Sequence, residues 1–198
     1  MIFKDISQDI QSTYTLNAGE QCVFFMHNRG GDITFELKGP GAAAHVFAFC
    51  TGKNTDQVTL NIIQKHLAPQ TTSRVLVKSV LQDQAQFSYR GTLHIAKNAS
   101  LSDASQENRN LLLSSEAKAF SEPALEILNH DVRCHHAATT SPLNTSLLFF
   151  AQARGLSREQ ATTLLITGFF QSSLDDIEEL VPSQSQEKML ALILTKLS

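Results

Sequence analysis

The 198-residue sequence has no tryptophan, two tyrosines and only three cysteines. Cys22, Cys50 and Cys134 lie far apart and form neither an even set nor a CxxC pair. That excludes a disulfide framework and a zinc knuckle. Charge of one sign is also missing. Sixteen Lys and Arg against nineteen Asp and Glu give a net charge of −3, with no basic run. A surface that tracks phosphates therefore lacks its electrostatic source, and nucleic acid is not an expected partner. No apolar run approaches the roughly 20 residues needed to span a bilayer. The nearest, Ala161 to Phe170, is interrupted by Thr162, Thr163, Thr167 and Gly168, so no membrane insertion is expected. The first residues, MIFKDISQDIQSTYTL, are too polar for a signal peptide, which predicts a cytoplasmic location.

What is present changes rhythm along the chain. From about Cys22 to Cys134, short runs of period two alternate with Gly, Asn, Asp, Ser and Pro, the pattern of strands and turns. Clear runs are Gln21 to Met26, Ile33 to Leu37, His45 to Phe49, Val58 to Ile63, Arg74 to Val80, Ala85 to Tyr89, Thr92 to Ile95, Leu111 to Leu113, Leu125 to Leu128 and Val132 to Cys134. Alternation puts Val75, Val77, Phe87, Tyr89, Leu93 and Ile95 on a buried face, and Arg74, Lys78, Ser88 and His94 on a wet one. Turn spacing suits a sandwich, a barrel or a stacked solenoid equally.

After His136 the period becomes helical. A first helix carries Leu143, Leu147, Phe150 and Ala151 and ends at Arg154-Gly155. A second starts at the N-cap Ser157, with Gln160 three residues on, and runs to about Phe170. A third spans Ser173 to Leu180, and a fourth Ser185 to Lys196. Strands followed by helices predict a β body over residues 1–140 and a helical subdomain over 141–198.

The densest chemistry is Asn129-His130-Asp131-Val132-Arg133-Cys134-His135-His136. On a strand, Cys134 and His136 share a face about 6–7 Å apart at Cα, with His135 opposite. A thiolate beside an imidazole suits iron or zinc, and further ligands must come from elsewhere. His27 reads as a loop residue, while His45 and His66 lie in or beside strand runs. A metal site gathered from such scattered histidines is a second possibility. Gly39-Pro40-Gly41 is a turn and no phosphate loop, so no ATP site is expected in this chain. No GxSxG elbow anchors a hydrolase. In Gln106-Glu107-Asn108-Arg109-Asn110, alternate amides facing inward would bond the backbone of neighbouring strands.

Residues 102 to 143, SDASQENRNLLLSSEAKAFSEPALEILNHDVRCHHAATTSPL, resemble the SufB/SufD family of iron-sulfur cluster assembly proteins. SRVLVKSVLQDQAQFSYRGTLHI upstream and ARGLSREQATTLLITGFF downstream are similar to it as well. The resemblance implies a mainly β fold, a right-handed parallel β-helix (β-solenoid) with a C-terminal α-helical subdomain. Cys134 and His136 match the Cys and His of the SufD motif Cys-Ser-His-Gly-Ala-Thr. His136 to Ser141 is similar to the SufB motif His-Glu-Ala-Thr-Thr-Ser except for its glutamate. No cysteine lies between residues 51 and 133, so the sulfur-accepting cysteine of SufB has no counterpart here.

The resemblance therefore implies a short SufD-like, non-catalytic subunit that begins without the family's N-terminal helical domain. It would pair through its β-helix with a SufB-type subunit or with itself. Cys134 and His136 would contribute iron or sulfur ligands to a transient iron-sulfur cluster shared with that partner. A SufC-type ABC ATPase would dock on the helices through Leu147, Phe150, Arg154, Leu164, Phe169 and Phe170. The alternative is a structural adaptor for the ATPase with no metal or sulfur site.

Overall fold

The computed structural model describes residues 1–175 together with 187, 190, 191 and 193. Its strands are β1 (Ile2–Asp5), β2 (Thr13–Leu16), β3 (Gln21–His27), β4 (Gly31–Leu37), β5 (Ala43–Gly52), β6 (Gln57–His66), β7 (Thr72–Leu81), β8 (Gln86–Ile95), β9 (Ser102–Leu112), β10 (Lys118–Ile127) and β11 (Val132–Pro142). Two helices follow, α1 (Thr145–Gln152) and α2 (Arg158–Asp175). Odd-numbered strands form one sheet in the order β1-β3-β5-β7-β9-β11, and even-numbered strands form a second in the order β10-β8-β6-β4-β2. The pairings are parallel. Each coil of chain thus adds one strand to each sheet, and the protein is a parallel β-solenoid.

Stacking explains how such short runs hold together. From β4 and β5 onward, side chains that contact across adjacent coils are 29 to 32 residues apart, as in Arg74–Asp103, Ser79–Asn110 and Arg90–Glu122, while the first coils are shorter, with Asn28 and Thr51 in contact 23 residues apart. Like therefore sits on like: Phe24 on Val46 on Val75 in one wall. Leu60 lies beside Tyr89 in the other. The interior core is closed by Tyr14, Phe24 and Phe35, whose rings lie 4.9 to 5.5 Å apart. Corners repeat as well. Asn54 and Asp83, both at φ 55°, occupy the same bend on successive coils, joined by the Asn54 amide donating to the Asp83 carboxylate at 3.0 Å. The Gly39-Pro40-Gly41 turn needs its first glycine, because a Cβ there would lie 1.9 Å from the Ala18 nitrogen.

A second core lies outside the solenoid. Phe25, Phe47, Phe49, Val80 and Leu111 on the outer face of the odd-strand sheet are covered by Ile166, Phe170 and Leu174, one stripe of α2. Leu190 and Ile193 pack into the same cluster. This corrects the expectation for Lys78. Alternation does place it on the outer face, but that face is roofed by α2 and the side chain is 0% exposed. Its ammonium donates to the Phe169 carbonyl and the Ser172 hydroxyl, 4.6 Å from the Phe169 ring centroid.

Other boundaries differ from expectation for identifiable reasons. β1 and β2 precede Cys22, too short and polar to stand out in sequence. β8 runs unbroken through Arg90-Gly91, and His27 closes β3 instead of lying in a loop. β9 begins at Ser102, nine residues before the apolar run that marks it. Its alternate amides explain this: Asn110 donates to Asn108 and to Thr140 and accepts from Ser79, while Asn108 donates to the Val77 carbonyl. α1 is capped by the Asn144 side chain, which accepts from the Leu147 amide at 3.0 Å. α2 has the expected box, with Gln160 and Ser157 bonded reciprocally at 2.8 and 3.1 Å. It does not stop at Phe170, since buried Ser173 and Leu174 continue its packed stripe. The rest of the third helix lies outside the described residues, as does the fourth apart from residues 187, 190, 191 and 193. No helix among the described residues is long and apolar enough to cross a membrane.

At one corner the interior is polar, and the His66 ring is bonded at both nitrogens. The ring of His66, 0% exposed, bonds Thr71 at 2.7 Å and Ser73 at 2.8 Å, and Thr71 bonds Ser102 at 2.8 Å. Burial pushes the imidazole down to about 4 from its ordinary 6.5, with Arg74 and His94 also lowering it and Asp103 opposing. The unfolded chain then takes up a proton that the folded one refuses. Stability is complete above pH 6.5 and falls as pH drops toward 4, by about 3 kcal/mol. Urea unfolding at pH 7 and pH 5 should show a clearly smaller loss on acidification in His66→Gln than in the wild type.

Candidate half-site at the open end of the solenoid

Among the described residues the final strands have neighbours on one side only, β10 on β8 and β11 on β9. Their inward-facing side chains consequently lie uncovered. Leu125 is 43% exposed and Ile127 39%, although Leu93 and Ile95, their equivalents one coil earlier, are sealed.

Register fixes the direction of the cysteine and histidines on β11. Cys134 pairs with Ala104 and His136 with Gln106, both buried inside the solenoid. His135 pairs with Ser105, on the outer face. Cys134 and His136 thus share the interior-facing side of the terminal strand, as alternation predicts. Cys134 is half-buried against the cluster of Leu93, Ile95, Ala99 and Ala104, whereas His136 is exposed. Burial raises the Cys134 thiol above its ordinary value, and the Asp103 carboxylate raises it further. Asp103 itself is held low by its 2.9 Å ion pair with Arg74. The thiol is therefore protonated near neutrality and must lose its proton to ligate a metal.

Two donors, one soft and one borderline, fit iron or zinc but supply half of a four-ligand shell. Among the described residues no group of three or more His, Cys, Asp or Glu converges on a common point. The scattered histidines do not assemble: His66 is saturated inside, His27 contacts Thr51 at 3.3 Å, and His45 sits half-buried on the outer face.

The helical residues singled out from sequence separate into two groups. Leu147, Phe150 and Leu164 are 51 to 55% exposed, and the Arg154 guanidinium stacks 3.4 Å from the Phe150 ring centroid. Phe149, which the helical spacing did not select, is the most exposed of the set at 72%. Phe169 is half-buried against Lys78, and Phe170 is sealed against Phe49 with centroids 5.3 Å apart. Phe170 holds α2 to the solenoid and offers no surface.

Residues 5–169 match the family described as "SUF system FeS cluster assembly, SufBD core domain". The chain belongs to the SufBD family. It is similar to the iron-sulfur cluster assembly protein SufB of Bacillus subtilis, 28% identical over 149 residues, which are 73% of this chain and 32% of that protein. An iron-sulfur cluster assembly SufBD family protein of Synechocystis is 37% identical over 109 residues, 55% of this chain and 24% of its own length. A SufBD family protein of Staphylococcus epidermidis is 30% identical over 149 residues, again 73% and 32%. This SufBD chain therefore spans about a third or less of these curated relatives.

Cys22 and Cys50 are buried in the core and Cys134 is not, so Cys134 should be alkylated first by iodoacetamide. Asp103→Asn removes one of the two influences that keep its thiol protonated, and mass spectrometry at pH 7.5 should show alkylation accelerated a few-fold.

Proposed function

We propose that this chain is a SufD-like subunit of an iron-sulfur cluster assembly complex, non-catalytic itself and cytoplasmic. The observation that carries the reading is the position of Cys134 and His136: side by side, facing inward, on a strand whose outer edge has no neighbour among the described residues. A half-set of ligands at an open end is completed by the end of another chain, either a SufB-type subunit or a second copy. The cluster is cargo, assembled between the two ends and passed on. Exposed Leu125, Ile127 and Leu128 would be buried in the same contact.

A SufC-type ABC ATPase docks on the helices through Leu147, Phe149, Phe150, Arg154 and Leu164, the exposed apolar face with its stacked cation. Movement of the ATPase reaches the β body through α2, because Phe170 and Lys78 fix that helix to β5 and β7. Rigid-body shifts of the helices then strain or release the terminal strands. The alternative, an ATPase adaptor without a metal or sulfur site, shares the helical surface and drops the Cys134–His136 role.

Anaerobic co-purification with the ATPase and a SufB-type subunit separates the two. Cys134→Ala with His136→Ala should abolish bound iron and sulfide while leaving the assembly intact. Iron and sulfide retained at the wild-type level would leave only the adaptor. Phe150→Glu with Leu164→Glu should instead detach the ATPase, seen as loss of its mass from the complex.

A further inference from the structure

One coil beneath Cys134 and His136 the interior changes character. The column that ends at His136 runs Phe24, Val46, Val75, Gln106, so an amide interrupts an apolar stack directly under the imidazole. Across the lumen, the column that ends at Pro123 runs Ile33, Ile62, Gly91. A Cβ at Gly91 would lie 1.3 Å from the Gln106 nitrogen and 2.5 Å from the Tyr89 hydroxyl. Glycine there lets the Gln106 side chain cross the interior and lie against the opposite sheet.

Gln106 and Tyr89 are each 2% exposed and their polar groups face each other, yet neither end of the amide nor the phenol has a well-formed hydrogen bond. The neighbouring amides on the same strand are satisfied: Asn108 and Asn110 bond each other, Ser79 and Thr140. An unpaired buried amide destabilises a core, and an apolar side chain of similar shape would serve folding better. Its place, as a floor below the open end, accounts for it differently.

We infer that Gln106 is a positioning residue for the Cys134–His136 half-site, its carboxamide hydrogen-bonding from below the metal-sulfur group those two residues hold. This rests on the ligand reading above. Hydrogen bonds to sulfur and to ligand shells set the orientation and affinity of a metal site. With one end of its amide turned to the Tyr89 hydroxyl, Gln106 keeps the other end for that contact. No bond is made or broken by either residue.

Cobalt(II) is a suitable probe, because a thiolate-to-cobalt charge-transfer band reports ligation by Cys134 without any assembly activity. The full chain, alone and with a SufB-type subunit, is titrated as wild type, Cys134→Ser, Gln106→Met and Gln106→Leu. The band should appear in the wild type and vanish in Cys134→Ser. In both Gln106 variants it should persist in shifted form with affinity about tenfold weaker, while their melting temperatures equal or exceed that of the wild type. Cobalt affinity within twofold of wild type in the Gln106 variants overturns the role of Gln106 and leaves the ligand reading standing. Weakened binding accompanied by lowered melting temperature in both variants marks a structural residue and overturns it too. No band in the wild type under either condition removes the ligand reading, and this inference with it.

Discussion

The parallel backbone ladder is the constraint on which the rest depends. Once a strand is hydrogen-bonded in register to the strand of the previous coil, each of its side chains is assigned a neighbour and a face. A slip of one residue would turn Cys134 and His136 outward and bring His135 in. Register is held where side chains interlock, at the Phe24–Val46–Val75 column and at the corners where Asn54 meets Asp83. The half-site is thus specified by packing that occurs several coils away from it, and β11 inherits its orientation from β9.

The same ladder explains which features were legible in the sequence. Strands with apolar inward positions, such as Val75 and Val77 or Leu93 and Ile95, announce themselves by alternation. β9 has no apolar alternation, since its inward positions are Ser102, Ala104, Gln106, Asn108 and Asn110; its alternate amides mark it instead, and the bonds of Asn108 and Asn110 with Ser79 and Thr140 suit those two to an interior. β10 and β11 show in sequence only through Leu125 to Leu128 and Val132 to Cys134, and their full lengths do not, since no described residue covers their open side to select a sharp inside and outside. Lys78 shows the limit of a face assignment. Period two states which side of a sheet a residue occupies, but whether that side is wet depends on α2, more than ninety residues later along the chain.

The site divides along similar lines. Cys134 and His136 were readable because proximity on one strand is local information and alternation fixes their common face. Tyr89, Gly91 and Gln106 come from two strands and meet only across the lumen. Phe149 was passed over because the spacing read in the sequence ran through Leu147, Phe150 and Ala151, whereas α1 buries Leu148 and Ala151 and leaves Leu147, Phe149 and Phe150 exposed. Phe170 was misassigned to the surface for the converse reason, being apolar and in phase with a face that proves to be internal.

A stack of parallel strands is directional, and its two extremities differ. One presents β1 and β2, the other β10 and β11. Joining unlike extremities would extend the stack without limit, a recipe for filaments. Joining like extremities through a two-fold axis sets strands running in opposite senses and terminates growth after a single step. Because the thiol and imidazole sit at one extremity alone, only the terminating arrangement brings two such pairs face to face, and the size of the assembly and the number of pairs it gathers become the same geometric fact.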